Sequence, residues 1–319
     1  MKTFKWIILM VCLGNIDLAK AQIKASDIQV PDAPGFVLAD KAPSAVDRPT
    51  TPKTFGLSLY TLQQGGAIQT TPFWYWQREK LDFKAFMSKK NPLWETLNFS
   101  IATFKTDTST TLSAGIRTHI FRIYNKKNKA AVSAIESNAA TAIMMLDIEK
   151  EAEARAIMTK HDDSISNILS KPAFRMEFAA AFLGASPDNT FKNLASNKAG
   201  AWLNASYNPP NSDFNATLLS RYIWNIGESS ATGKDSAFID NGVSIAYQKK
   251  NLNLAFEYVN RIDVAVKDNY SRLAFVINYK ISDEITLVSS FGKNYSEVSN
   301  IFTVFGAKFG IAGKQQNLN

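Results

Sequence analysis

Large apolar side chains recur at every second position over windows of about ten residues, and an extended chain points successive side chains to opposite sides. Leu252, Leu254, Phe256 and Tyr258 alternate with Asn253, Ala255, Glu257, Val259 and Arg261. Leu273, Phe275, Ile277 and Tyr279 alternate with Arg272, Ala274, Val276, Asn278 and Lys280. Ile239, Asn241, Val243, Ile245 and Tyr247 stand against Asp240, Gly242, Ser244, Ala246 and Gln248, and Phe174, Met176, Phe178 and Phe182 against Arg175, Glu177, Ala179 and Ala181. Windows at 97–105, 112–122, 214–224 and 285–291 repeat the arrangement. About ten residues is the length a tilted strand needs to cross a bilayer.

Two architectures use such strands. In a soluble sandwich the aromatic face points into a core; in a membrane barrel it points out to lipid and the small or polar face lines the interior. The second face here is rich in Gly, Ala, Ser, Asn and single charges, which suits a crowded or watery interior. Large rings near strand ends, Tyr222 with Trp224, Tyr247, Tyr258 and Tyr279, resemble interfacial girdles. Tight connections such as 249–251 and 281–283 alternate with longer ones such as 227–237. The expected fold is therefore all-β, a transmembrane antiparallel β-barrel of about 12 strands with an α-helical insertion. With 45% apolar and 20% charged residues the chain is not disordered. Its longest apolar run, 6–14, is far short of the roughly 20 residues of a spanning helix.

The N-terminus supplies the export route. Lys2 and Lys5 precede an apolar stretch from Trp6 to Leu13, and Ala19-Lys20-Ala21 offers a small-x-small cleavage site, so 1–21 reads as a signal peptide. The one cysteine, Cys12, lies inside it and leaves the mature chain without a thiol. Residues 22–54 carry Pro31, Pro34, Pro43, Pro49 and Pro52 and form an arm, free or packed onto the rest through Phe36, Val37 and Leu38. The barrel occupies 55–310 and a tail 311–319. Candidate strands at 55–63, 93–106, 110–123, 172–183, 198–208, 213–224, 238–248, 251–261, 270–280, 284–292 and 301–310 need one more for even parity, and 67–76 supplies it. Between the fourth and fifth strands, 126–171 loses the alternation. It reads as an amphipathic helix with Val132, Ile135, Ala139 and Ala142 on one stripe, broken near His161-Asp162-Asp163. Parity puts this insertion on the periplasmic side.

Asp32-Ala33-Pro34-Gly35-Phe36-Val37-Leu38, Ala42-Pro43-Ser44, Arg48-Pro49-Thr50-Thr51-Pro52-Lys53, Pro72-Phe73-Trp74-Tyr75-Trp76 and Asn98-Phe99-Ser100-Ile101-Ala102-Thr103 together resemble the N-terminal pattern of uncharacterised exported barrel proteins of Bacteroidetes-type outer membranes. The resemblance covers about the first third of the mature chain. It implies an outer-membrane location in a Gram-negative bacterium and a strand before Trp76, and brings no activity with it. The chain departs from the barrel habit of ending on an aromatic residue, since Phe309 is followed by 310–319.

Chemistry is sparse. His119 falls on the Ser113, Gly115, Arg117 face, with no Gly-x-Ser-x-Gly or His-x-Ser signature for a nucleophile. His161 with Asp162 and Asp163 reads as a solvated turn rather than a metal site. The reading is a non-enzyme with no cofactor or metal. The alternation places Arg117, His119, Arg175, Glu177, Arg221, Glu257, Arg261, Arg272, Lys280 and Lys308 on the enclosed face. One reading of this set is arginine–carboxylate clamps that plug the lumen and hold the wall; the other, toward which six or seven cations against two carboxylates lean provided water fits, is a narrow path for small polar or anionic solutes. Outer-membrane lipid is the expected partner of the apolar face. A periplasmic protein docking on 126–171 is the second reading, and a hydrolase around His119 a distant third. Removing Lys2, Lys5, Lys20 and Asp17 lowers the formal charge from +8 to about +6, with the basic residues scattered, which argues against nucleic acid.

Overall fold

The computed structural model describes residues 26, 28, 34–39, 46–47, 58, 62, 66–73, 83–105, 109–144, 156–157, 160–161, 164–165, 168–169, 171–188, 190–229, 235–282, 285–295 and 300–309. The signal peptide, the break at 162–163, the tail and most of the strand expected at 55–63 lie outside them. The fold is all-β, built as one twelve-stranded sheet in sequence order. Its strands are β1 (Val46–Asp47), β2 (Gly66–Thr70), β3 (Asn98–Lys105), β4 (Thr110–Ile123), β5 (Phe174–Ser186) and β6 (Ala195–Tyr207), then β7 (Phe214–Ser229), β8 (Asp235–Lys249), β9 (Leu252–Asp263), β10 (Asn269–Lys280), β11 (Ile285–Lys293) and β12 (Ile301–Phe309). Every pairing from β2 to β12 is antiparallel, and β1 runs parallel to β2. Among the described residues the sheet is accompanied by helices α1 (Gly35–Leu38), α2 (Phe83–Ser88) and α3 (Lys126–Met144).

Three expectations change. Ser58 and Leu62, the described residues of the strand expected at 55–63, are helical, and the first strand is instead Val46–Asp47, within the segment expected as an arm. Among the described residues β12 pairs with β11 alone, so the sheet is not closed; β2 already has β1 on its other edge, and β1 is only two residues long. The strand expected over 67–76 ends at Thr70 and gives way to a helical turn at Pro72–Phe73. Proline has no N–H for the ladder and ends the strand there.

The faces are strongly unlike. On β9, Phe256 is 50% exposed while its neighbours Ala255 and Glu257 are each 1% exposed. The same holds across the sheet, with Phe99, Leu203, Leu218, Tyr222, Ile245, Leu273 and Phe291 outside and Ser100, Asn204, Arg221, Asp240 and Arg272 inside. Water-soluble domains place their apolar face the other way. The sheet wraps around the N-terminal arm: Ile28, Val37 and Leu38 share one cluster with Ala179, Trp202, Ile223 and Val259, drawn from β5, β6, β7 and β9.

Close strand contact fixes Gly292 on β11. A Cβ there would strike the Leu273 carbonyl oxygen and lie 2.9 Å from the Ala274 Cα, backbone atoms that cannot turn aside, whereas a Cβ on Gly306 meets nothing within 4 Å. Gly292→Ala is expected to lower unfolding free energy by about 1–3 kcal/mol, as overpacking does. Gly306→Ala is the control, and urea unfolding followed by tryptophan fluorescence should leave it within about 0.5 kcal/mol of the parent.

Candidate functional site

The enclosed charges form pairs dictated by register. Arg117 and His119 lie two apart on β4, as do Arg175 and Glu177 on β5, so all four share a face. His119 sits directly opposite Glu177. Glu177 Oε2 lies 3.1 Å from Arg175 Nε, and its Oε1 lies 3.3 Å from His119 Nε2 and 3.9 Å from Arg117 Nε. On β8, Asp240 has Arg221 opposite it on one side and Arg261 on the other. Arg221 Nε donates to its Oδ2 at 2.9 Å, while Arg261 grips both oxygens, Nε to Oδ1 at 2.7 Å and Nη2 to Oδ2 at 2.9 Å. Arg272 lies diagonally across from Glu257, with Nη1 3.7 Å from Oε2. Ring faces support two of these guanidiniums, Tyr295 at 4.1 Å and Phe238 at 5.1 Å from Arg261 and Phe302 at 4.7 Å from Arg272.

Of the residues expected on this face, Arg117, His119, Glu177, Arg221, Glu257 and Arg272 are buried, and Arg175 and Arg261 are partly so. Lys280 is exposed, because it is the last residue of β10 and reaches water at the sheet's end. The Lys308 side chain lies outside the described residues. Two charged residues escaped the sequence reading. Asp240 alternates with Gly242 and Ser244, so its inward direction was readable, and it raises the carboxylates to three. Arg122 was hidden: a bulge between His119 and Phe121 leaves Ile120 without a partner and reverses the alternation beyond it. Arg122 is thereby turned inward, 1% exposed, stacked 3.6 Å from the Phe86 ring and donating Nη2 to the Phe86 carbonyl at 3.0 Å.

Described residues of the arm lie on this enclosed face, anchored through one backbone carbonyl and one side chain. Asn204 Nδ2 donates to the Ile28 carbonyl at 2.6 Å, and the Ser26 hydroxyl donates to Glu257 Oε1 at 2.5 Å. Glycines make room for it: a Cβ on Gly200 would come within 2.8 Å of Leu38 Cδ2, one on Gly115 within 3.0 Å of Pro34 Cβ, and one on Gly242 within 3.1 Å of Ile28 Cδ1. Phe36 adds an edge-on contact with Phe104 at 4.7 Å.

The helical insertion packs at one end of the sheet. Asn125 caps α3 by accepting from Asn128 N at 2.7 Å, and Val132 is buried with Phe86, Met87, Tyr124, Ile165 and Leu169. Tyr124 donates its hydroxyl to the Leu169 carbonyl at 2.6 Å. Burial pushes the Tyr124 phenol up from its ordinary range. Val132, and in part Ile135, of the apolar stripe of α3 are thus covered by the chain's own residues.

The His119 ring faces Glu177, and no hydroxyl is hydrogen-bonded to that ring among the described residues. No group of His, Cys, Asp and Glu among those residues is arranged to hold a metal ion. No family model and no curated protein matches the chain.

Asp240 is the keystone of its cluster. Removing it strands two arginines in an enclosed space, which is the costly way to break such a group. Asp240→Ala is expected to lower urea-unfolding free energy by about 3–5 kcal/mol. Adding Arg221→Met and Arg261→Met to that variant should recover most of the loss; a triple variant as unstable as Asp240→Ala would show that packing, not charge pairing, holds this part of the sheet.

Proposed function

We propose that the chain is exported and works as an outer-membrane β-barrel of a Gram-negative bacterium, handling small polar or anionic solutes through a narrow, positively charged interior. The observation that carries this reading is the direction of the faces: aromatic and aliphatic side chains are exposed along the sheet, while arginines and carboxylates are enclosed. Hydrocarbon is the solvent in which that arrangement is favourable. Among the described residues the enclosed Arg117, Arg122, Arg175, Arg221, Arg261 and Arg272 outnumber Glu177, Asp240 and Glu257, which favours anions. In this reading closure is completed by β12 pairing with the N-terminal strand, and the arm occupies the interior in the resting state. Solute passage then requires the arm to yield. Packing of Val132, and in part Ile135, against the chain's own residues takes up the start of the stripe that a docking role for 126–171 would use, and so supports the solute reading over a scaffold role.

The membrane part is tested by extraction. The protein should require surfactant for purification and run at different gel positions before and after boiling; a chain freely soluble without surfactant overturns the reading. The solute part is tested in planar bilayers. The full chain should give small, infrequent currents, and Ile28→Ser with Leu38→Ser, which loosens the arm without touching the wall, should raise the open fraction at least about tenfold. Silence in both proteins would leave a closed structural barrel.

A further inference from the structure

We propose that Arg122 and Arg175 form one binding site for a small oxyanion, a single carboxylate or phosphate group, at the end of the sheet where the helical insertion packs. The site deepens the solute reading and rests on it only for how the anion reaches the interior. It originates in the bulge of β4. The bulge turns Arg122 inward, directly opposite Arg175 of β5, and like charges facing each other across a ladder repel unless something of opposite sign comes between them.

Arg122 carries the argument through its unmet donors rather than through a count of charges. Its side chain is 1% exposed, with the Phe86 ring at 3.6 Å and the Tyr124 ring at 5.3 Å from the guanidinium. Phe86 covers a face of the plane, so further bonds must be made at its edges. Of the three nitrogens, Nη2 donates to the Phe86 carbonyl, while Nε and Nη1 meet no acceptor among the described residues. The carboxylates at this end are engaged elsewhere: Glu177 faces Arg175 and His119, and Glu95 accepts from Lys89. Enclosed donors of a charged group are costly when left unmet, and a carboxylate or phosphate presents oxygens at the spacing a guanidinium edge takes. Arg175 completes the site from its accessible side, its side chain 25% exposed. Glu95 limits the affinity, because it lies within electrostatic reach of Arg122 and repels what Arg122 attracts.

Equilibrium dialysis of the full chain in neutral surfactant against radiolabelled inorganic phosphate, at fixed ionic strength, tests the site. The parent should retain a single phosphate per chain. Arg122→Gln and Arg175→Gln should each weaken retention at least about tenfold, as loss of charge-assisted hydrogen bonds does. Arg122→Lys, which keeps the charge and loses the fork, should also weaken it, and Glu95→Gln should strengthen it. Lys249→Gln, which removes an exposed cation at the same end of the sheet, should leave it unchanged. Arg175 is only partly buried, so Arg175→Gln carries the test if Arg122→Gln fails to fold. A parent that retains no phosphate, or equal retention by the parent and Arg175→Gln, overturns the site. Planar-bilayer currents decide the solute reading separately: a conducting chain that retains no phosphate keeps that reading and loses the site, and a silent chain that retains one phosphate keeps the site and loses the reading.

Discussion

Enclosing a guanidinium is expensive unless an acceptor meets it, and the arrangement of this sheet follows from that requirement. Asp240 receives Arg221 from β7 and Arg261 from β9, so three consecutive strands are tied by one carboxylate. Glu177 does the same between β4 and β5. Since the side-chain period is two, slipping any of these strands by one residue would swing its charges to the apolar side and its rings to the inside. The ion groups therefore specify register at least as much as they contribute stability. Paired charges in an interior are weak stabilisers but strong penalties when mispaired.

The outward face places a complementary demand. Phe256, Ile245, Leu218 and Tyr222 stand exposed on neighbouring strands, and a continuous apolar surface of that extent is unstable in water. Face direction and charge pairing reinforce each other. In the proposed membrane setting a surrounding apolar medium would strengthen the penalty for an arginine turned outward, and the enclosed carboxylates reward one turned inward.

Most of this was legible because alternation is a local property. Leu252 to Arg261 announces two faces with no reference to any other strand, and Asp240 was as readable as Glu257, needing only to be counted. What escaped was what local pattern cannot carry. The bulge at Ile120 is a property of the β4–β5 pair rather than of β4 alone, and with it went the inward turn of Arg122. The early end of β2 was readable in Pro72, whose missing N–H outweighed the aromatic run behind it. The arm was the hardest case. Phe36, Val37 and Leu38 signalled a need for cover, but the room for Pro34, Leu38 and Ile28 is left by Gly115, Gly200 and Gly242, three isolated glycines on separate strands that become a cradle only when the sheet curls.

That cradle places an apolar barrier beside the charges. On β5, Ala179 and Ala181 follow Glu177 along the enclosed face, and on β7 Leu219 and Ile223 flank Arg221; all four belong to the cluster that holds Val37 and Leu38. In the proposed solute barrel, an ion moving along the enclosed face from Glu177 or Asp240 toward the middle meets this hydrocarbon. Transfer of an unpaired charge into such surroundings costs many kcal/mol, far more than displacing a short segment whose polar anchors are Asn204 and Glu257. The lower route is for the arm to move first. In a proposed solute barrel, the selectivity of the interior belongs to the arginines, while the rate of passage belongs to the contacts of Ser26, Ile28, Val37 and Leu38.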